Sequence, residues 1–312
     1  MRFVRGVPIR GISAALVCLC ASCASPGPEP SESRGDAIVV QASSAARLAY
    51  EQGNFGQAQK LYRRALTRAR AMNDAGLAAD AAYNLAMSEI GLGNYGAADQ
   101  LLDEAYYDAD RASSNTADIQ LLRAKVAYLR RQLPEALTLI DDVTGSKAAQ
   151  SLRLQAMILR GQIFCDTPNL EAAKSELRAA EKLVASSKTV LTPPISADLA
   201  KLEGTIARLE GKMTIAASSF DAEAERLRIA HRYRDMGYAL ARAAEAYLAA
   251  GQPALAADRF FLAARSLDGR GETDAAKLFL ASSLSAAEKA GDKDAHARAQ
   301  MLLEEITRRA AP

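Results

Sequence analysis

A turn position recurs about every 40 residues along most of this 312-residue chain. The turn positions are Gly53, Gly93, Arg131, Pro168, Gly211, Gly251 and Gly291. Five residues after the turn come Ala58, Ala98, Ala136, Ala173, Ala216 and Ala256, and seven residues before it come Ala46, Ala86, Ala124, Gly161, Gly204 and Ala244. Such regular spacing of small residues predicts an array of similar structural units.

The segments between the turns are predicted to be helices. In residues 80–90 the apolar residues Ala82, Leu85, Ala86 and Ile90 have the spacing of one helix face. Hydrophobic residues make up 49% of the chain but aromatic residues only 5%, and tryptophan is absent. Apolar content that comes mainly from alanine and leucine favours closely packed helices over strands.

The repeat resembles the tetratricopeptide repeat (TPR), in which small residues lie where the two helices of a unit, A and B, cross. The clearest copies are AAYNLAMSEIGLGNYGAADQLLDEAYYDA and ALARAAEAYLAAGQPALAADRFFLAARSL. The resemblance implies an all-α, right-handed superhelical solenoid of about seven helix pairs over residues 39–310. Because a TPR usually has 34 residues, the six or so extra residues per unit should lengthen its helices by more than a turn.

Two places depart from the repeat. Residues 186–196, SSKTVLTPPIS, form a long connection in which Pro193 and Pro194 exclude a continuous helix. In the last unit, His296 stands where the other units have alanine. Terminal repeats cap an array and tolerate such changes.

The sequence gives no support for an enzyme, a metal site or a cofactor. GLGNYGAADQLL contains the G-x-G-x-x-G spacing of a dinucleotide loop, but a helix precedes it where that motif requires a strand. No Walker A or G-x-S-x-G pattern occurs. The two histidines, His231 and His296, lie in different units without metal-ligand spacing, so we expect solvated residues at helix ends.

The N-terminus is predicted to be a lipoprotein signal peptide over residues 1–22. Three arginines precede a short apolar stretch that is too short to span a bilayer, and Ala21 and Ser22 precede Cys23. This arrangement resembles the lipobox of bacterial lipoproteins, in which the cysteine becomes the lipidated first residue; Cys20 departs from the usual leucine. An ordinary secretory signal cleaved near Ala24 is the alternative. Removing the three arginines leaves 36 basic residues against 37 acidic ones, which argues against nucleic-acid binding.

Residues 23–38 are predicted to be a disordered tether, because they are rich in proline, serine and glycine without a hydrophobic period. In family terms, alanine after the lipidated cysteine implies the outer membrane of a bacterium with two membranes, with the protein facing the periplasm. If Cys23 is lipidated, Cys165 is the only other cysteine of the mature chain, and its apolar surroundings predict an inert thiol.

The resemblance implies a concave binding groove lined by the A helices. The residues at the TPR groove positions are Arg47, Tyr50, Tyr83, Met87, Lys125, Tyr128, Gln162, Lys201, Arg208 and Tyr238. Tyrosine and arginine are common at binding hot spots, although such residues can also pack between neighbouring A helices. The carboxylate clamp of some TPR domains is not expected, because only Asn84 of its residues is present.

These features predict a non-enzymatic scaffold that is anchored by lipid in the bacterial cell envelope and binds a protein or peptide in an envelope or secretion assembly. Alternatives are an accessory protein that recognises a cell-wall or extracellular polysaccharide, and a regulator of a periplasmic cell-wall enzyme. The oligomeric state is left open.

Overall fold

A computed structural model of the protein describes residues 36–146, 148–167, 169–186 and 191–310. The predicted signal peptide, Cys23 and Pro168 lie outside the described residues. Fourteen α-helices occupy the described part of the chain. In chain order they are α1 Ala37–Glu51, α2 Phe55–Ala71, α3 Ala75–Gly91, α4 Tyr95–Arg111, α5 Ala117–Leu129, α6 Leu133–Gly145, α7 Gln150–Asp166, α8 Leu170–Ser186, α9 Pro193–Leu209, α10 Met213–Ile229, α11 Tyr233–Ala249, α12 Pro253–Asp268, α13 Thr273–Ala290 and α14 Lys293–Ala310.

The helices form seven consecutive pairs, with the odd-numbered helices as A and the even-numbered ones as B. Consecutive helices pack against each other, and A helices also contact across units at α5–α7 and α7–α9. Most helices have 15 to 18 residues, so the expected lengthening of the helices is present. The first helix begins at Ala37, two residues before the predicted start of the array. The all-α solenoid is therefore confirmed.

The same tight turn ends A helices and B helices alike. Gly53, Gly93, Gly211, Gly251 and Gly291 have positive φ after A helices, and Arg131 takes the same conformation without being glycine. Positive φ also occurs after B helices, at Asn73, Ser113, His231 and Gly271. The alignment of turn positions missed this second set because three of its four members are not glycine.

Gly91, the first residue of the G-x-G-x-x-G segment, belongs to the helix before the turn and not to the turn itself. It is the last residue of α3, and the left-handed position is Gly93, with φ of 79°. A Cβ atom on Gly91 would lie 2.6 Å from ring atoms of Phe55, which begins the neighbouring helix α2. Glycine is therefore required here for close packing, whereas at Gly93 it suits the turn.

The small positions lie at buried helix crossings, as predicted. Ala58, Ala98, Ala136, Ala173, Ala216 and Ala256 are all fully buried. The two glycines of the preceding row show how close the helices approach: a Cβ on Gly161 would lie 2.7 Å from Leu202, and one on Gly204 would lie 2.7 Å from Phe220. The distance between the helices is thus set by direct contact at these small residues.

The long connection before α9 is shorter than its sequence suggested. Thr192 precedes α9, and Pro193 and Pro194 form its first turn. Proline is well accommodated there because the first N–H groups of a helix have no partner within the helix. The two prolines therefore start a helix of 17 residues.

The solenoid returns on itself. Arg270, in the turn between α12 and α13, donates a hydrogen bond from Nη2 to the carbonyl oxygen of Gln52 at 2.6 Å. These residues are 218 positions apart. The Arg270 side chain passes so close to Gly53 that a Cβ there would lie 2.7 Å from Nη2. The first and sixth units are therefore in direct contact.

Candidate binding groove

Side chains from distant units face one another across the inner side of the superhelix, which we call the lumen. Tyr50 at the end of α1 lies within electrostatic reach of Arg232 and Asp235 at the start of α11. Lys125 on α5 lies within reach of Asp198 and of the same Arg232. These helices are not neighbours along the array, so the curvature of the superhelix is what brings their side chains toward a common space.

The first section of the lumen is aromatic and apolar. Tyr50 packs edge-on against Phe55 with ring centroids 5.2 Å apart. Tyr83 and Met87 are half-buried against the core of the first two units. Burial raises the pKa of Tyr83 to about 12, and the nearby Asp118 carboxylate acts in the same direction. Arg47 is exposed beside this section and lies 3.9 Å from Glu51. These residues offer rigid apolar surface with polar edges.

The second section carries charge. Arg232 holds Asp235 through a contact of 2.7 Å between Nη2 and Oδ2. Lys125 is open to solvent, yet the protein around the lumen lowers the pKa of its ammonium group, and Arg232 and Lys201 lower it further. Asp198 opposes that effect. Lys201 lies one turn after Asp198 on α9, so both reach the same space.

Tyr128 and Tyr238 link neighbouring A helices. The Tyr128 hydroxyl donates to Asp166 Oδ2 at 2.8 Å, and Arg131 contacts the same oxygen at 2.9 Å. The Tyr238 hydroxyl likewise donates to Glu272 Oε2 at 2.8 Å. In both cases the carboxylate belongs to the following unit. These two tyrosines therefore hold successive A helices in register.

Two predicted groove residues have few distinctive contacts. Gln162 is half-buried on α7, and Arg208 is exposed near the end of α9. Arg208 lies within electrostatic reach of Cys165, whose thiol pKa is raised to about 11 by burial and by Asp166. The free thiol is half-buried. Because the thiolate is the reactive form, this environment agrees with the predicted inert cysteine.

A buried ion pair underlies the charged section. Glu223 on α10 is buried, and its Oε1 accepts a hydrogen bond of 2.6 Å from Arg242 Nη2. Its other oxygen, Oε2, has no hydrogen-bond partner among the described residues. Burial raises the pKa of Glu223, and Arg242 opposes that shift. Lys201 also lies within reach of this carboxylate, so the floor of the lumen is itself charged.

The structure brings Tyr50, Tyr83, Lys125 and Lys201 of the predicted set toward one space. It adds three side chains that the sequence analysis missed: Asp198, Arg232 and Asp235. Asp198 could have been found from its spacing of three residues to Lys201 on one helix face. The other two lie at a turn and at the very start of α11, where the TPR groove positions give no signal.

A separate cavity of about 480 Å³ lies between α10 and α12, over α11. Met236, Leu240 and Leu262 line its apolar part, and Arg228 and Arg265 are among its charged residues. The Arg228 guanidinium donates to both oxygens of Glu225, at 2.7 and 2.8 Å. None of the predicted groove residues lines this cavity.

Within the described residues no group of three or more histidine, cysteine, aspartate or glutamate side chains is arranged to hold a metal ion. His231 lies exposed in the turn before α11, with Nδ1 3.0 Å from the Tyr233 hydroxyl. His296 lies in α14 with Nε2 3.5 Å from Glu288. None of the described helices combines the length and apolarity needed to cross a membrane.

Solved structures show what the fold resembles. No protein-family model and no curated protein matches the chain. The apo form of the quorum sensor NprR from B. thuringiensis aligns with a TM-score of 0.59 and 14% identity, covering 86% of this chain and 76% of that one. A Rap protein complexed with Competence and Sporulation Factor aligns with a TM-score of 0.52 and 13% identity, covering 87% and 98%.

A STAND protein with a tetratricopeptide repeat sensor, from Pyrococcus horikoshii, aligns with a TM-score of 0.50 and 12% identity, covering 83% of this chain and 45% of that one. The fold is TPR-like. At identities this low the likeness establishes the fold alone, and the function has to be argued from the groove.

Proposed function

We propose that this protein is a non-enzymatic scaffold that binds a peptide or an extended protein segment in its lumen. The observation that carries the proposal is that Arg232 lies within electrostatic reach of both Tyr50 and Lys125, which belong to distant units of the array. An elongated lumen lined by rigid aromatic rings and charged groups suits an extended chain, because such a chain contacts several units at once.

Fold likeness supports a role in binding a partner. The Rap protein with a similar fold was crystallised with Competence and Sporulation Factor. A polysaccharide would favour a row of open aromatic faces. Here the Arg234 guanidinium lies over the Tyr238 ring, 5.5 Å from its centroid, and Tyr50 packs edge-on against Phe55. The lumen therefore favours a polypeptide over a sugar polymer.

The scaffold is proposed to act in the bacterial cell envelope, lipidated at Cys23 and facing the periplasm from the outer membrane. The support is the N-terminal sequence: a basic start, a short apolar stretch and small residues before the cysteine. Several acyl chains give stable anchoring where a single chain does not. Residues 23–36 would then separate the solenoid from the membrane.

Affinity capture from solubilised envelope tests the role of the lumen, using the chain tagged after Pro312. Tyr83→Leu removes the hydroxyl and ring from the lumen while keeping an apolar side chain against the core. Tyr107→Leu is the matched control, since Tyr107 is 65% exposed on the B helix α4. We expect the first variant to lose its partner by about tenfold or more and the control to retain it.

Equal capture by the two variants, with equal helicity, would contradict binding in the lumen. The envelope part is tested separately with Cys23→Ser. The Cys23→Ser protein should no longer partition into the detergent phase and should no longer incorporate labelled palmitate. The Cys20→Ser protein should still partition into the detergent phase and still incorporate the label. Unchanged labelling of the Cys23→Ser protein would contradict lipidation at that residue.

A further inference from the structure

The cavity between α10 and α12 has an apolar interior to which three helices contribute. Its volume is about 480 Å³, within the range of about 300–1,000 Å³ that is typical of ligand pockets. Met236 and Leu240 come from α11, Ala224 from α10 and Leu262 from α12. No described residue with an aromatic ring lines the cavity. The interior therefore suits a saturated hydrocarbon chain better than a planar ring or a sugar.

Most polar groups around this interior are engaged with one another. Arg259 on α12 donates to both oxygens of Asp221 on α10, at 2.8 and 3.1 Å, so this pair joins the two walls of the cavity. Arg228 is paired in the same way with Glu225. The Ser266 hydroxyl donates to a backbone carbonyl oxygen at 2.8 Å. A ligand with buried amide groups would find few free partners here, whereas a hydrocarbon chain needs none.

Arg265 is the charged lining residue that these pairs leave over. Its guanidinium lies over the Phe261 ring, 5.8 Å from the centroid, and forms no ion pair within 4.0 Å in the part of the chain that the structure describes. The Arg298 guanidinium lies at the same distance from that ring. Asp268, three residues after Arg265, is held by Arg309 at 2.6 Å. The cavity thus has an excess of positive charge on the side of Phe261.

We propose that this cavity binds an aliphatic carboxylate, that is, a saturated chain that ends in one carboxylate group. The chain would lie along Met236, Leu240 and Leu262, and the carboxylate would form a charge-assisted hydrogen bond with Arg265. The inference goes beyond the proposed function, because no residue of the predicted groove lines the cavity. The protein would therefore bind a small amphipathic ligand and its partner at separate sites.

Isothermal titration calorimetry of the full-length protein with hexanoate, octanoate and decanoate tests the inference. Each step adds two methylene groups to the chain. If half of their surface is covered, each step should tighten binding by about fourfold, and if all of it is covered, by about fifteenfold. Octanol is titrated as well, because it has the chain without the charge.

Two variants separate the role of the charge from that of the chain. Arg265→Gln should weaken the binding of octanoate by about threefold to tenfold and leave that of octanol unchanged, whereas Arg265→Lys should retain octanoate. Leu262→Gln should weaken the binding of both ligands by about fivefold or more. The controls are Arg64→Gln, at an exposed position of the B helix α2, and Leu255→Gln, which is 43% exposed on α12 outside the cavity. Circular dichroism establishes that all these proteins have equal helicity.

Binding that is not saturable, or that does not strengthen with chain length, would overturn the inference. Equal effects of the two cavity variants and their controls would do the same. Loss of octanoate binding in Tyr83→Leu but not in Leu262→Gln would assign the ligand to the lumen and also overturn it.

A peptide that ends in leucine is titrated into the same variants, because it too carries an aliphatic group beside a carboxylate. If it binds more tightly than octanoate, with the same dependence on Arg265 and Leu262, the assignment of a simple aliphatic carboxylate is overturned. Neither result bears on the lumen, whose role is tested by capture of the partner.

Discussion

Replacing Gly204 with alanine should destabilise the solenoid, even though alanine is the better helix former. Gly204 lies within α9 and faces Phe220 of α10, whose side chain is fully buried. A Cβ at position 204 would lie 2.7 Å from Cε1 and 2.8 Å from Cδ1 of the Phe220 ring. Carbon atoms are at their optimal separation at about 3.5–4.0 Å, so the ring or the helix has to move.

Two opposing terms set the size of the effect. Overpacking of a filled core costs about 1–3 kcal/mol, and the gain in helix propensity from glycine to alanine is about 0.5–1 kcal/mol. At the middle of each range the packing term is the larger, so we expect a net loss of about 1 kcal/mol in the free energy of unfolding. Gly96→Ala, on α4, is the control because no atom lies within 4 Å of its added Cβ; it should be neutral or stabilising.

Urea unfolding followed by circular dichroism measures the change through a shift in midpoint at constant slope. Because units of a solenoid interact mainly with their neighbours, hydrogen exchange in α9 and α10 should accelerate most. Adding Phe220→Leu should relieve the contact, so that the double variant is more stable than the two single effects predict, by more than about 0.5 kcal/mol. Additive effects, or a Gly204→Ala protein as stable as Gly96→Ala, would refute the packing argument.

Three further outcomes are expected. Ala98→Leu and Ala256→Leu, both at fully buried crossings, should each lose about 1–3 kcal/mol of stability in thermal melts, and melts equal to the parent would contradict the helix alignment. The pKa of the Cys165 thiol is raised to about 11, so the thiol should be alkylated slowly at pH 8 and progressively faster up to about pH 11, as followed by mass spectrometry of its peptide. An alkylation rate that levels off just above the ordinary thiol pKa of about 8.5 would contradict its burial. Arg270→Ala removes the hydrogen bond to Gln52 and should raise the radius of gyration in small-angle scattering, whereas an unchanged radius would mean that closure does not depend on this contact.

Local features of the fold were predictable because they depend on short-range rules. Alanine at Ala98 and Ala256 indicated where helices cross, and glycine at Gly93 indicated a left-handed turn. The same rules do not predict the turn at His231. This residue has the same positive φ as the turn glycines, although histidine does not indicate that conformation. The starting point of α9 at Pro193 was likewise missed because proline was interpreted only as a helix breaker.

The make-up of the candidate site was only partly predictable. Lys125 and Lys201 follow from helix positions within single units, but the approach of Arg232 to Lys125 does not. That approach depends on the small rotation between successive units, added over three of them. Side-chain volumes at every interface contribute to this rotation, and a repeat pattern records only that the interfaces recur.

The contact between Arg270 and Gln52 has a consequence for how such a chain can change in length. In an open array, duplication or loss of a helix pair leaves the remaining interfaces as they were, because each unit contacts only its neighbours. Here an added pair between α2 and α12 would carry Arg270 past Gln52 and separate the side chains that meet in the lumen. The number of units is therefore constrained by this contact, and a gain or loss of one pair would have to be accompanied by a new closing contact.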